Sequence, residues 1–345
     1  MNAIICERPG KFVRAEVPEP DGPGPGEAVV RIRRVGICGT DYHAFAGRQP
    51  YFEYPRILGH ELSGTVEAVG EEDGQARGTE RLKPGDRVAV IPYLHCGKCL
   101  ACRHGKTNCC VHLKVLGVHT DGGMRDLIKV PLTHLVAVND LTPDLAAVIE
   151  PMAIGAHAVR RADVMPGENV LVIGAGPIGL GVMAFAKRRG ARVIAMDLSE
   201  PRLAFSRAWG GADETVTAGE GAAERVAELT DGEFPSAVFD ATGNVRSMMD
   251  ALRYVAHGGR LVFVGLVRDD FAFSHPEFHR RETTLLSSRN ATREDFAWVL
   301  ETLRDGFIRA EAFITHRAPS EELEWRWNEW TDPSTGVIKA VVVWE

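Results

Sequence analysis

Residues 169–197 constrain the fold more tightly than any other stretch of the chain. Asn169–Ile173 is a compact apolar run of strand length. Gly174-Ala175-Gly176-Pro177-Ile178-Gly179 follows it as G-x-G-x-x-G, and Pro177–Arg189 then reads as a helix. The glycine motif alone is weak, but a strand before it and a helix after it are the context it requires. Gly174 permits a tight turn, Gly176 lets the backbone approach a pyrophosphate, and Gly179 lets helix and strand pack closely. The helix N-terminus offers unpaired N–H groups and the positive end of its dipole to phosphates. A second strand, Arg192–Met196, leads to Asp197, eighteen residues past Gly179. A carboxylate there can hydrogen-bond the ribose hydroxyls and repels a 2′-phosphate, which favours NAD(H) over NADP. Arg202 is near enough in sequence to soften that preference, and it also reads as a solvated helix residue. Gly174, Gly176, Pro177, Ile178, Gly179, Asp197 and Arg202 are therefore candidate cofactor-binding residues. The plainer alternative is a glycine turn in some other α/β sheet.

The pattern continues with strands at Ala237–Phe239 and Arg260–Val264 and a helix over Val245–Ala256 between them. Strand and helix in alternation imply a doubly wound parallel sheet. The texture before residue 150 differs. Ala28–Arg33, Gly64–Val69 and Arg87–Ile91 are β-branched runs, and Pro84-Gly85-Asp86 marks a turn before the last. Val17–Gly26 is a proline- and glycine-rich connection within this β-rich part. After about Ser287 the periodicity loosens, and Ala340–Trp344 reads as a final strand returning to the first domain. The expected fold class is α/β: a β-rich domain over 1–152 and 288–345, and a Rossmann domain over 153–287.

The 345 residues are 45% hydrophobic and 25% charged, with a net charge of −7. That suits two globular cores and gives nucleic acid no basic surface to bind. No apolar leader opens the chain and no run of eighteen apolar residues occurs, so neither signal peptide nor membrane span is expected. Free thiols such as Cys6 and Cys38 suit a reducing, cytoplasmic setting.

Cys96, Cys99, Cys102 and Cys110 are spaced C-x2-C-x2-C-x7-C in a stretch with little to fill a core. Five of the seven cysteines fall here once Cys109 is included, a density suited to a metal lobe at about 93–112 more than to a disulfide scaffold. Four thiolates close a tetrahedron around zinc and leave no open position, so this site is expected to be structural. Cys110 is the better fourth ligand by spacing, with Cys109 as a possible substitute. The chemistry must then lie elsewhere. Cys38 lies in Gly36-Ile37-Cys38-Gly39-Thr40-Asp41-Tyr42-His43, His60 and Glu61 in Gly59-His60-Glu61, and Glu150 in Ile149-Glu150-Pro151. One thiolate, one imidazole and one carboxylate can hold a second zinc with one position open. Taken singly, each residue also reads as a buried Cys, a core His or a surface Glu.

These segments together resemble the zinc-dependent medium-chain dehydrogenases, the family of alcohol, sorbitol and threonine dehydrogenases, over nearly the whole chain. The resemblance implies a GroES-like catalytic domain, a Rossmann domain, two zinc ions per chain, NAD(H) and a homotetramer or homodimer. It makes Cys38, His60 and Glu61 ligands of the catalytic zinc, with Glu150 approaching the ion directly or through water. Relatives that use a second Cys there have no counterpart here, since no Cys follows Cys110. Thr40 and His43 fall at the family's hydroxyl and imidazole proton relay. Val264-Gly265-Leu266 is implied to meet the nicotinamide carboxamide. The runs 47–52, 275–279 and 288–292 are similar to the sugar-acid branch, the L-galactonate and L-gulonate 5-dehydrogenases. That implies oxidation at C5 of a hexonate to a keto-hexonate. A hexonate needs a cation for its carboxylate. Arg48, His279, Arg280, Arg281 and Arg289 are candidates, Arg289 first, with Asn290 beside it and Tyr51 and Phe52 as an apolar wall. A polyol or L-threonine dehydrogenase is the alternative, and a non-catalytic nucleotide-binding relic a remote one.

Overall fold

The computed structural model describes residues 1–50, 52–71 and 81–345. The chain forms two compact units, one of residues 1–150, 292–296 and 310–345, the other of residues 151–291 and 297–309.

The first unit is organised by the long strand Glu27–Ile37. It pairs antiparallel with Glu61–Val69 on one side and Lys339–Val343 on the other, and with Leu127–Pro131 along its first half. Arg87–Val90 and Leu135–Ala137 extend the sheet beyond Glu61–Val69, and Ile314–Pro319 runs parallel to Lys339–Val343 at the opposite edge. The sequence pattern places the long strand only as far as Arg33. The register shifts between Ile32 and Arg34, so the inside–outside alternation resets there and the strand continues to Ile37. A three-stranded sheet, Lys11–Glu16, Asn2–Arg8 and Arg56–Ile57, shares the same core. Trp327, fully buried from the helix Leu323–Thr331, packs there against Phe12, Tyr42 and Phe45.

The second unit holds a six-stranded, all-parallel sheet. Its order is Glu214–Thr217, Arg192–Asp197, Asn169–Ile173, Ala237–Asp240, Arg260–Phe263 and Thr284–Ser287. The first strand in sequence lies inside the sheet, which is the doubly wound arrangement with its crevice at the strands' carboxyl ends. The helix expected over Val245–Ala256 is shorter. It is α-helical over Val245–Asp250 and tightens to 3₁₀ over Ala251–Tyr254, and Val255 is already extended. The helix Arg293–Arg304 was not visible in the hydrophobic periodicity. Its start is nonetheless written in the sequence, because Asp295 Oδ2 accepts from both the N–H (2.7 Å) and hydroxyl (2.9 Å) of Thr292. Among the described residues no helix is long and apolar enough to cross a membrane.

Asp144 ties three elements of the first unit together. Thr142 caps the helix Pro143–Ala147, and Asp144 in its first turn accepts from Arg34 Nε and Arg317 Nε, each at 2.6 Å. Burial works against its charge, but the two guanidiniums outweigh it and hold its pKa below the usual carboxylate range. A depressed folded-state pKa contributes stability above the unfolded value, near 3.9, that is lost as pH falls through the folded one. Asp144→Asn should cost about 1 kcal/mol at pH 7, since the arginines are partly solvated. In urea unfolding the gap from wild type should close steadily below about pH 4. A gap independent of pH would contradict the assignment.

Candidate active site and cofactor site

The cysteine quartet is assembled as the spacing predicts. Cys99 N-caps the short helix Leu100–Arg103, a 3₁₀ turn Thr107–Cys109 follows, and Cys110 comes next. The four sulfurs lie within 4.8 Å of one another, with Cys99 and Cys102 3.4 Å apart and Cys96 and Cys110 3.5 Å apart. These distances are far longer than a disulfide and near the ~3.8 Å edge of a tetrahedron with Zn–S of 2.3 Å. Backbone N–H groups of Cys102 and Val111 pull the Cys99 thiol down to about 6, which favours the thiolate a metal needs. Cys96 and His112 N–H groups both donate to Cys110 Sγ at 3.3 Å. Cys109 is exposed and outside the group. The donor set fits zinc.

The second group is Cys38, His60 and Glu61, whose ligand atoms also lie within 4.8 Å of one another. Sheet pairing brings them together: Gly36 pairs with Glu61, so the end of Glu27–Ile37 carries Cys38 up to the start of Glu61–Val69. Cys38 then N-caps the helix Gly39–Phe45, and its N–H donates to Asp41 Oδ2 at 2.9 Å. Asp41 Oδ1 lies 3.7 Å from His60 Nδ1. Both atoms are buried without a hydrogen-bond partner among the described residues. Burial opposes charge on His60, but Asp41 and the Cys38 sulfur outweigh it and hold its pKa well above the usual imidazole value. A half-buried thiol and a buried imidazole backed by a carboxylate form a donor set suited to zinc. Glu150 is buried in the same unit and accepts from the Tyr93 hydroxyl. Burial raises its carboxyl to about 7 despite His60 nearby. Both Glu61 oxygens accept from Lys339 Nζ, at 2.6 and 2.8 Å, and both residues are buried. Thr40 is half-buried and His43 exposed, one turn apart on the helix Gly39–Phe45.

In the second unit the glycine loop has the shape a dinucleotide needs. Gly174 has φ +97°, and a Cβ at Gly179 would fall 1.7 Å from Gly174 O, so the helix Pro177–Arg188 can approach the loop only with glycine there. A Cβ at Gly176 would meet nothing within 4 Å, which leaves its backbone open to a phosphate. Pro177 and Ile178 open the helix, half-buried. Asp197 Oδ2 accepts from Ala175 N at 2.7 Å and Oδ1 from Ser199 N at 2.9 Å. The carboxylate is thus fixed beside the loop with lone pairs left for ribose hydroxyls. Arg202 is exposed. Val264 N and Gly265 N both donate to Asp240 O, at 2.9 and 3.1 Å, which leaves the backbone donor of Leu266, a residue 60% exposed, without a partner among the described residues.

The expected substrate residues are less uniform. Tyr51 lies outside the described residues. Phe52 is half-buried and meets Tyr54 edge-on with ring centroids 4.8 Å apart. Arg48, His279 and Arg289 are exposed. Arg280 and Arg281 are engaged with Glu277, and Arg281 also donates to Val255 O. Asn290 has φ +51°, and its Nδ2, like Ser288 Oγ, is buried without a hydrogen-bond partner among the described residues.

Residues 24–140 match the alcohol dehydrogenase GroES-like domain, and residues 177–305 match the zinc-binding dehydrogenase domain. The chain belongs to the zinc-dependent medium-chain dehydrogenases. It is 43% identical to L-galactonate-5-dehydrogenase of Escherichia coli K12 over 99% of this chain and 98% of that protein. It is 35% identical to D-altritol 5-dehydrogenase of Agrobacterium fabrum over 97% and 98%. A crystal structure of E. coli CFT073 RspB, described as a short chain alcohol dehydrogenase complexed with NADH, superposes with a TM-score of 0.89 at 30% identity. It covers 99% of both chains.

Sequence reasoning about this dehydrogenase missed three residues around Cys38 and His60. Asp41 had a signal, an acid three residues past the helix-starting Cys38. Tyr93 and Lys339 had none, since each reads as an ordinary strand residue. Cys102→Ser should remove one zinc per chain by elemental analysis and lower the melting temperature by about 10 °C. An unchanged zinc count would refute the quartet as a metal site.

Proposed function

We propose that this dehydrogenase oxidises a secondary alcohol to a ketone with NAD, acting at C5 of a hexonate of the L-galactonate or L-gulonate type. The reading is carried by Cys38 and His60 as a donor pair in a chain whose 43%-identical relative is named for L-galactonate. Bound zinc supplies a Lewis acid that polarises the substrate hydroxyl, and bound NAD supplies the hydride acceptor. Cys38 and His60 hold the ion, and the carboxylates of Glu61 and Glu150 complete its surroundings. Thr40 takes the hydroxyl proton by hydrogen bond and His43, exposed, passes it to solvent. Asp197 orients the adenosine ribose and favours NAD over NADP. Leu266 N–H meets the nicotinamide carboxamide. Arg289 pairs with the substrate carboxylate and Asn290 hydrogen-bonds its hydroxyls, with Phe52 as an apolar wall. The enzyme acts in the cytoplasm as a homotetramer or homodimer.

A second reading, oxidation of an uncharged polyol, is favoured by the likeness to D-altritol 5-dehydrogenase. Following NAD reduction over L-galactonate, L-gulonate, altritol, sorbitol and L-threonine separates the two. The hexonates should show the highest kcat/KM, and activity confined to polyols would overturn the first reading. Arg289→Ala should raise KM for the hexonate about tenfold or more, as expected for a charge-assisted hydrogen bond, and leave any polyol KM unchanged.

A further inference from the structure

Asp240 is fully buried in the second unit, and no cation pairs with it among the described residues. Burial pushes its carboxyl up, and only hydrogen bonds to Ser247 and Thr242 oppose that. An unpaired acid in such a place is costly, so its hydrogen bonds need an explanation. Asp240 ends the strand Ala237–Asp240, between Ile173 and Phe263 at the carboxyl ends of the neighbouring strands. That is the mouth of the crevice where a doubly wound sheet takes its dinucleotide. Its Oδ1 accepts from Thr242 N at 3.0 Å and from Thr242 Oγ1 at 2.6 Å, and its Oδ2 accepts from the Ser247 hydroxyl. The turn between them is closed by Asn244 N donating to Thr242 Oγ1 at 3.1 Å and Ser247 N donating to Asn244 Oδ1 at 3.2 Å. The Asp240 carbonyl meanwhile accepts from Val264 N and Gly265 N. One residue thus holds two segments, by its side chain and its main chain. Both segments make close contacts at the mouth. A Cβ at Gly174 would fall 3.1 Å from Thr242 Cγ2, and one at Gly265 would fall 2.5 Å from Gly243 N. Gly243 has φ +61°, a conformation that suits glycine.

We propose that Asp240 is a positioning residue for NAD: it locks the turn 242–247 and the segment 264–265 together as one wall of the cofactor crevice. The proposal rests on NAD occupying the glycine loop and is independent of the metal groups and of the substrate. Asp240 itself is buried beneath the turn and acts through Thr242 and Ser247. Binding a long, flexible dinucleotide to a wall already in place avoids the cost of ordering that wall on binding. A carboxylate serves because its two oxygens accept all three side-chain-directed bonds at once.

The test is NADH binding to the purified zinc-loaded enzyme, read from the change in NADH fluorescence on titration, with circular dichroism as the check on folding. Asp240→Ala removes all three side-chain bonds and should raise the Kd for NADH about tenfold or more. Asp240→Asn keeps an oxygen for Thr242 and offers an amide N–H to Ser247 Oγ, so it should stay within about threefold of wild type. Thr242→Val and Ser247→Ala each remove one hydroxyl and should raise Kd about threefold. Ser247→Ala added to Asp240→Ala should weaken binding no further, because its partner is already gone. A folded Asp240→Ala protein with the wild-type Kd would overturn the proposal. So would an Asp240→Asn protein as weak as Asp240→Ala, or full additivity in the double variant. Should Asp240→Ala fail to fold, Thr242→Val and Ser247→Ala decide, and wild-type Kd values in both would overturn it. A wild type that does not bind NADH would instead overturn the cofactor assignment, and the proposal with it.

Discussion

The pairing of Glu61–Val69, Glu27–Ile37 and Lys339–Val343 is the constraint on which the proposed catalytic site depends. The two registers bring together residues separated by hundreds of positions. Cys38 leaves the end of the central strand, His60 immediately precedes one neighbour, and Lys339 begins the other. Shifting either register by one residue would turn the corresponding side chain to the opposite face and dismantle the group. The buried Lys339–Glu61 pair is costly to desolvate and, once formed, costly to break, with removal of one partner worth about 3–5 kcal/mol. A sheet that buries such a pair beside a thiol and an imidazole spends stability on a defined electrostatic setting.

The two candidate metal groups solve different problems. The quartet is local: a short helix and a 3₁₀ turn gather four sulfurs within fifteen residues of chain, and backbone N–H groups favour the thiolate of Cys96 and Cys99. The second group is built from distant segments and keeps Asp41 Oδ1 and His60 Nδ1 buried, 3.7 Å apart, without a hydrogen-bond partner among the described residues. Orphaned groups of that kind are costly in a folded protein unless a ligand or ion completes them. The nucleotide unit shows a milder form of the same trait in Ser288 Oγ and Asn290 Nδ2.

What could be read from sequence follows from how local each signal is. The strand, glycine loop and helix at 169–188 and the quartet at 96–110 are contiguous motifs whose spacing carries their geometry. The strand Glu27–Ile37 was legible only up to the register shift after Ile32, because the bulge breaks the alternation on which strand reading rests. The helix Arg293–Arg304 was hidden by mixed periodicity although its Thr292–Asp295 cap was in plain view. Lys339 was illegible in principle. A lysine opening a β-branched strand reads as surface, and only tertiary pairing gives it Glu61 as a partner.

The measurement that bears most directly on this account is metal content and turnover of Cys38→Ser, assayed as NADH formation from L-galactonate. The account predicts one zinc retained per chain, in the quartet, an intact melting transition and turnover reduced by several orders of magnitude. Full turnover, or loss of both zincs together with the fold, would contradict a catalytic ion held by Cys38 and His60.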